Sequence, residues 1–131
     1  MMRELFLGLV VFLGAGAGGV LRHTVNRLAP LVLPMTFPVA TFFVNIVGCF
    51  AMGVLAGWFT FRGEASGQTL RLLLTTGLLG GFTTFSAFSL DAALLWERGE
   101  TGLMVLYVLG SVLLSLVGVF GGLALIRTLL S

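Results

Sequence analysis

Four long runs of uncharged, mostly apolar residues follow one another along this chain, and its charged side chains fall in the short segments between and beside these runs. Each run approaches or exceeds the roughly 20 residues that an α-helix needs to cross a bilayer. The pattern therefore predicts an all-α membrane protein in which residues 1–131 form a single four-helix transmembrane domain. The predicted spans are about 5–27, 38–61, 70–95 and 102–127.

The connections between the runs differ in character. The first holds Pro30, Pro34 and Pro38. Because proline lacks an N–H and clashes with the preceding turn, these residues are expected to stop any continuous helix after the first span. The other two connections are short polar turns. An even number of spans places both termini on the same side of the membrane.

Composition supports this class of protein and excludes others. Hydrophobic residues make up 58% of the chain and charged residues 9%, with a mean hydropathy of +1.14. A soluble globule could not hydrate such a surface. The net charge of +2 is too small, and the arginines too scattered, for nucleic-acid binding. The single cysteine, Cys49, cannot form an intrachain disulfide and is read as a packing residue.

The arginines give almost no signal for orientation, which normally follows the excess of positive charge on cytoplasmic segments. Arginine supplies all of the basic side chains, since the chain has no lysine. The bias is four against three, which favours insertion in both orientations and allows an antiparallel, dual-topology homodimer. The side with the termini carries Arg3, Arg62, Arg71 and Arg127, and the other side carries Arg22, Arg27 and Arg98.

The third run contains a segment, Gly77–Ser89, whose composition does not suit a lipid-facing helix. It combines glycines, phenylalanines and several hydroxyl residues. Irregular backbone at membrane depth is tolerated only where it is buried in protein or lines a wet cavity. The segment is therefore predicted to form an ion or substrate site.

Polar side chains also occur inside the second and fourth runs at helical spacing. Thr41 and Asn45 share one face, and Tyr107, Ser111 and Ser115 share another. Asn45 can either donate to a passing ligand or hold two helices together. The serines can either line a path or bond back to their own helix.

Acidic side chains are missing from the middle of every run. Asp91 is placed at the exit of the third span, and the glutamates fall in turns or near the N-terminus. A proton-coupled multidrug transporter needs a mid-membrane acid, so that function is excluded. The chain also lacks a catalytic pair or a metal-ligand cluster, so it is not expected to be an enzyme. A non-conducting scaffold remains open, because glycines four residues apart in all four runs allow close helix packing.

Neutral donors and aromatic rings remain as the candidate chemistry. Hydroxyl and amide groups can replace part of the hydration shell of an anion without the deep trap that a buried cation would create. Phe85 and Phe88 fit the same path, because an aromatic ring has a positive edge.

Four segments of the chain closely resemble the Fluc (CrcB) family of bacterial fluoride channels. They are GAGAGGVLRH at Gly14–His23, FPVATFFVNIVGCFAMG at Phe37–Gly53, GLLGGFTTFSAFSLD at Gly77–Asp91 and YVLGSVLLS at Tyr107–Ser115. The resemblance implies an antiparallel homodimer with two pores, each built from both subunits. It also implies a third helix broken at mid-membrane, where the carbonyls of Gly80 and Thr83 from both subunits bind a structural Na⁺ ion at the dimer interface.

The resemblance further implies roles for individual residues. The fluoride pore would be lined by Phe85, Phe88, Asn45, Thr41, Ser111, Ser115 and Tyr107, with Arg22 holding the vestibule. Asp91 stands where the family usually has glutamate, and Gly19 where many members have alanine. The implied function is passive export of fluoride across the bacterial inner membrane, with fluoride, membrane lipid and a second copy of the chain as partners.

Overall fold

A computed structural model describes residues 1–33, 36–63 and 67–131 of the chain, and these form four helical spans long and apolar enough to cross a membrane. The prediction of an all-helical, four-span protein is confirmed, and the described residues contain no strand. Pro34 and the predicted turn at Glu64 lie outside the described residues. The elements are α1 (Met2–Val32), α2 (Val39–Arg62), α3 (Gln68–Leu72), a π-helical segment (Leu73–Leu79), α4 (Gly80–Phe82), α5 (Phe85–Glu97) and α6 (Thr101–Leu130).

The first helix extends further than the prolines suggested. Pro30 lies inside α1, which ends only at Val32. The helix therefore continues two residues past the first of the three prolines before it stops. Proline has no N–H, so the only backbone hydrogen bond lost at this position is the one to the carbonyl of Asn26. Because Pro30 lies in the last turn, few hydrogen bonds beyond it belong to the helix.

Helix α1 packs against the first half of the third span through glycines. A Cβ atom at Gly14 would lie 2.6 Å from the carbonyl oxygen of Leu73 and 2.9 Å from the Cα atom of Gly77. Gly18 and Gly81 face the backbones of Leu78 and Ala15 at similarly close range. Because glycine has no side chain, the two backbones come into close contact, as glycines four residues apart allow in membrane helices.

Helices α2 and α6 form the second close pair. Gly53 faces the backbone of Val119, and Gly122 faces the backbone of Phe50. The glycine pairs of all four runs thus meet within one subunit. They account for the fold of the chain and are not needed to explain an oligomer.

The third span, Gln68–Glu97, is not one regular helix. Its first half contains the π-helical segment, in which each turn holds an extra residue. Thr83 (φ −84°, ψ 157°) and Thr84 (φ −154°, ψ 121°) then have extended backbone before α5 begins at Phe85. These two residues face α2 and α6 and form the centre of the site.

Candidate functional site

The extended residues of the third span are held by a side chain from α2. The N–H of Thr84 donates to Oδ1 of Asn45 at 2.8 Å, and Nδ2 of Asn45 donates to the carbonyl of Thr84 at 3.0 Å. Asn45 thereby satisfies a donor and an acceptor that the irregular backbone exposes at membrane depth. Of the two roles open for Asn45, the structure shows the contact between helices. The second N–H of the amide remains for another acceptor.

The same arrangement changes which backbone carbonyls have partners. In an uninterrupted helix the N–H of Thr84 would bind the carbonyl of Gly80, and that of Ala87 would bind the carbonyl of Thr83. Here the first donates to Asn45, and the second donates to Oγ1 of Thr84 at 3.2 Å. The carbonyls of Gly80 and Thr83 therefore lose the donors that a regular helix would give them.

Beside this interruption lies a cavity of about 240 Å³ between α2, α5 and α6. Its walls carry amide, hydroxyl, thiol and aromatic groups, and no charged side chain among the described residues lines it. Six of the predicted site residues meet here. The lining consists of Asn45, Cys49, Thr83, Thr84, Phe85, Phe88, Ser111, Val112 and Ser115.

Ser111 carries the polar atom that the fold leaves unsatisfied. The residue is 5% exposed, and its Oγ atom has no hydrogen-bond partner among the described residues. The alternative that Ser111 bonds back to its own helix is therefore wrong. A buried hydroxyl without a protein partner costs free energy, which sets Ser111 apart from the other residues of the cavity wall.

Aromatic rings continue the wall of the cavity towards one end of the bundle. The rings of Phe85 and Phe88 have their centroids 5.4 Å apart, and those of Phe88 and Tyr107 are 5.3 Å apart. Phe88 is 9% exposed and Tyr107 is fully buried, whereas Phe85 is 78% exposed within the subunit.

Tyr107 connects this row of rings to a carboxylate. Its hydroxyl donates to Oδ2 of Asp91 at 2.9 Å. Asp91 lies inside α5, which continues to Glu97. Asp91 nevertheless lies only about 9 Å of helix from that end. It lines a second cavity of about 280 Å³, to which Thr41 also contributes.

Arg22 lies apart from the other predicted site residues. It lines a wider cavity of about 500 Å³ together with His23, Ser86 and Thr84. Thr84 also lines the 240 Å³ cavity, so this residue borders both spaces.

Three lining residues were not among the predicted site residues. Thr84 follows a predicted ligand, Val112 follows a predicted pore serine, and Cys49 lies four residues after Asn45. That helical spacing places Cys49 on the same face as Asn45, so the sequence did contain the signal for it.

Comparison with known proteins gives consistent results. The family described as "CrcB-like protein, Camphor Resistance (CrcB)" matches residues 9–123. The chain is 57% identical over 121 residues to the "Fluoride-specific ion channel FluC" of Rhodopseudomonas palustris (strain BisB5), covering 92% of this chain and 97% of the relative. It is 58% identical over 119 residues to the protein of the same name from Methylobacterium nodulans (91% and 94%). The one from Paracoccus denitrificans is 52% identical over 128 residues (98% of each chain).

Proposed function

The chain belongs to the CrcB family, and from this membership we propose that it is a fluoride-selective ion channel through which fluoride leaves the cell passively. Relatives that this chain matches over nearly their whole length are named fluoride-specific ion channels. The observation that carries the proposal within this chain is the neutral cavity with its unpartnered Ser111 hydroxyl.

The chemistry of the cavity suits a small anion. The Ser111 hydroxyl and the second N–H of Asn45 are donors that can replace water around fluoride. Because the wall holds no arginine, the ion meets no deep trap and can leave again. Phe85 and Phe88 complete the wall and would offer their positive ring edges.

We place the rest of the path on the remaining predicted residues. Ser115 lines the cavity beside Ser111. Tyr107 and Thr41 extend the polar track towards the 280 Å³ space, and Arg22 lies in the 500 Å³ space that would serve as the vestibule. A positive side chain in the wide mouth attracts anions without holding them in the narrow section.

A second, oppositely inserted copy of the chain would complete each pore. Phe85 supports this arrangement, because it lines the 240 Å³ cavity yet is 78% exposed in one subunit. The arginine balance of four against three supports insertion in both orientations. In the antiparallel homodimer, the interrupted third spans would meet at mid-membrane.

A structural Na⁺ ion between the two interruptions follows from the same arrangement. Na⁺ is a hard cation and prefers oxygen ligands. The carbonyls of Gly80 and Thr83 are released from helical bonding, and Gly80 lies on the exposed face of the subunit. Two such pairs, one from each subunit, would provide four oxygen ligands. The bound ion would fix the relative position of the two chains.

Export would then follow from the acid–base chemistry of hydrofluoric acid. The neutral acid enters by crossing the bilayer and dissociates at cytoplasmic pH. The membrane potential drives the fluoride anion outward through the channel.

Fluoride efflux from liposomes tests the proposed function directly. Purified protein is reconstituted into vesicles loaded with potassium fluoride, and an electrode records external fluoride after addition of a potassium ionophore. We expect rapid efflux, and none from matched vesicles loaded with chloride when chloride is recorded. The channel function fails if fluoride efflux equals that of protein-free vesicles.

The Na⁺ site has its own test. The thermal stability of the dimer is compared in buffers containing Na⁺ or the large cation N-methylglucamine at equal ionic strength. Because a ligand that binds only the folded dimer raises its stability, we expect a higher transition temperature in Na⁺. Equal transitions in the two buffers would contradict the site.

A further inference from the structure

The 280 Å³ cavity lies about one helical turn beyond the 240 Å³ cavity on two helices at once. On α2, Asn45 lines the 240 Å³ cavity, and Thr41, four residues before it, lines the 280 Å³ cavity. On α5, Phe88 lines the 240 Å³ cavity, and Asp91, three residues after it, lines the 280 Å³ cavity. Residues three or four apart share a helix face and lie about 4.5–6 Å apart along the axis. The two cavities are therefore consecutive spaces along the same helix faces.

Tyr107 on α6 contacts residues of both cavities. Its ring lies 5.3 Å from that of Phe88, between centroids, and its hydroxyl donates to Oδ2 of Asp91 at 2.9 Å. Phe37, in the wall of the 280 Å³ cavity, meets the same ring edge-on with the centroids 5.4 Å apart. A continuous row of contacts thus leads from the neutral cavity to the next one.

The 280 Å³ cavity differs from the 240 Å³ cavity because charged residues line it, namely Asp91 and Arg98. Arg98 lies seven residues after Asp91, about 10 Å further along α5, and forms the exposed C-terminal cap of that helix. Its guanidinium has no ion-pair or hydrogen-bond partner among the described residues. The positive charge at the rim of the cavity is therefore not neutralised within the subunit.

We propose that the 280 Å³ cavity is a mouth of the fluoride path, and that Arg98 at its rim concentrates the anion there against the repulsion of Asp91. The inference rests on the proposed function, and it adds a residue to the path that the polar side chains of the spans do not indicate.

Electrostatics explains why this mouth needs a cation. The Asp91 carboxylate donates its charge to no ion pair, so it would lower the concentration of any anion in the cavity. A unit charge at a distance of about 4–10 Å through water changes the local concentration of a monovalent ion by about twofold to fivefold. Arg98 offsets Asp91 on this scale. Because it lies at the rim and not in the neutral section, it does not hold the ion in a deep trap.

The test changes the charge at position 98 after the protein has folded. Cys49→Ala/Arg98→Cys has its only thiol at the rim. The purified dimer is treated with one of two methanethiosulfonate reagents of similar size, which attach either a trimethylammonium or a sulfonate group, and intact mass confirms one adduct per chain. Fluoride efflux is then recorded from liposomes at an ionic strength of about 0.01 M, where the Debye length is about 30 Å. We expect the cationic adduct to conduct at least about twofold faster than the anionic adduct.

Cys49→Ala/Arg27→Cys is the matched control. Arg27 is also exposed and was assigned to the same side of the membrane, so its loss changes the arginine balance equally, but it lines neither the 280 Å³ nor the 500 Å³ cavity. Its two adducts should conduct alike. Each comparison is between two adducts of one variant, so neither basal flux nor orientation affects the result.

Ionic strength separates charge from bulk. At about 1 M of an impermeant salt the Debye length falls to about 3 Å, so the difference between the two adducts at position 98 should shrink. A difference that persisted unchanged would reflect the shape of the adducts and would overturn the proposal. Equal efflux of the two adducts at low ionic strength would overturn it as well, and so would an equally large difference at position 27.

Asp91→Asn tests the opposing charge. The amide oxygen can still accept from the Tyr107 hydroxyl, while the negative charge is removed. Efflux at low ionic strength should therefore exceed that of the wild-type protein, and efflux no higher than wild type would remove Asp91 from the proposed balance. If the wild-type protein conducts no fluoride, the proposed function fails and this inference fails with it. If the wild-type protein conducts and the adducts at position 98 are equal, the role of Arg98 alone fails.

Discussion

Ser111 combines an unpaired buried hydroxyl with a proposed place in the ion path. Its hydroxyl is buried without a partner, and in native proteins such groups are rare because an unsatisfied polar atom costs about 1–3 kcal/mol. A side chain that only packed would not retain this cost. Stability and conduction should therefore respond to its removal in opposite directions.

Ser111→Ala tests this opposition. The variant removes the unpaired hydroxyl, so we expect stability to stay equal or rise by up to about 1 kcal/mol. Fluoride efflux should fall because a donor is lost. Thr60→Ala is the control, since the Thr60 hydroxyl already bonds to the carbonyl of Ala56 in its own helix and should leave efflux unchanged. Wild-type efflux in Ser111→Ala would contradict the role of Ser111 in the path.

The two phenylalanines of α5 differ in burial and should differ in what their loss does to the fold. Phe88→Ile removes contacts with Phe85 and Tyr107, worth about 0.5–1.5 kcal/mol for each aromatic pair. Phe85→Ile loses only the aromatic contact with Phe88, so the stability of the fold should fall less than in Phe88→Ile. We expect both variants to lose efflux while remaining dimers on size-exclusion chromatography.

Phe12→Ile is the control for these two variants. Phe12 is 71% exposed on α1, away from the cavity, and its replacement should leave efflux and elution unchanged. If Phe85→Ile or Phe88→Ile conducts as wild type does, the ring at that position has no part in conduction.

At the scale of elements, the interrupted third span depends on a side chain from another helix. Asn45 and Thr84 are separated by 39 residues yet exchange two hydrogen bonds. Both the irregular segment and the polar Asn45 are recognisable in the sequence. Their bonds to each other are not, because that pairing exists only once α2 and the third span are packed.

Asn45→Asp removes one bond of this pair and adds a charge. The carboxylate can still accept from the N–H of Thr84, but it faces the Thr84 carbonyl with no hydrogen to donate. We expect a loss of stability of about 1–3 kcal/mol. Efflux should fall as well, since a negative charge now lines the path of an anion. Thermal unfolding measures the change in stability, and the electrode assay measures the change in efflux. If Asn45→Asp matched the wild-type protein in both measurements, the role of Asn45 in the path would be contradicted.

The spacing of glycines predicts which helices pack closely. The positions of the prolines predict the helix ends less well. Gly14 and Gly18 on α1 meet the third span as closely as the spacing suggested. The end of α1 was misjudged because Pro30 falls in its last turn, where proline costs little. The π-helical segment was not foreseen, since an extra residue in a turn leaves no periodic signal in an apolar run.

Gly14→Ala tests the close packing of α1. The added methyl group would lie 2.6 Å from the carbonyl oxygen of Leu73, so the helices must separate, at a cost of about 1–3 kcal/mol. Gly8→Ala on the same helix meets nothing within 4 Å and should instead stabilise by up to about 1 kcal/mol through helix propensity. Chemical or thermal unfolding in detergent compares the two. Equal effects of both substitutions would show that the Gly14 contact is not tight.

At the scale of the whole molecule, the proposed path is open on one side of a single chain. Phe85 is largely exposed although it lines the cavity, and many apolar side chains of α1 and α6 face outward. Lipid can cover those apolar side chains, but it cannot provide donors for an ion beside Phe85. No residue pattern signals this open side directly, and the nearest indication is the balance of arginines between the two ends of the spans.

That balance can be shifted by substitution of exposed arginines. Arg27→Gln/Arg98→Gln leaves four arginines on the side of the termini and one on the other, which should insert nearly all copies in a single orientation. An antiparallel dimer then cannot form, so we expect no efflux from vesicles made with this variant alone. Arg3→Gln/Arg62→Gln/Arg127→Gln has the opposite bias, with one arginine against three, and should also be inactive alone.

Co-expression of the two biased variants is the decisive measurement. Each supplies the orientation that the other lacks, so efflux should return when both are present in one membrane. Recovery would also show that the substitutions left the subunits folded. Labelling of a cysteine placed at the N-terminus reports the orientation of each variant independently. Wild-type efflux from a singly oriented variant would require a pore within one subunit or a parallel dimer, and the antiparallel arrangement would be abandoned.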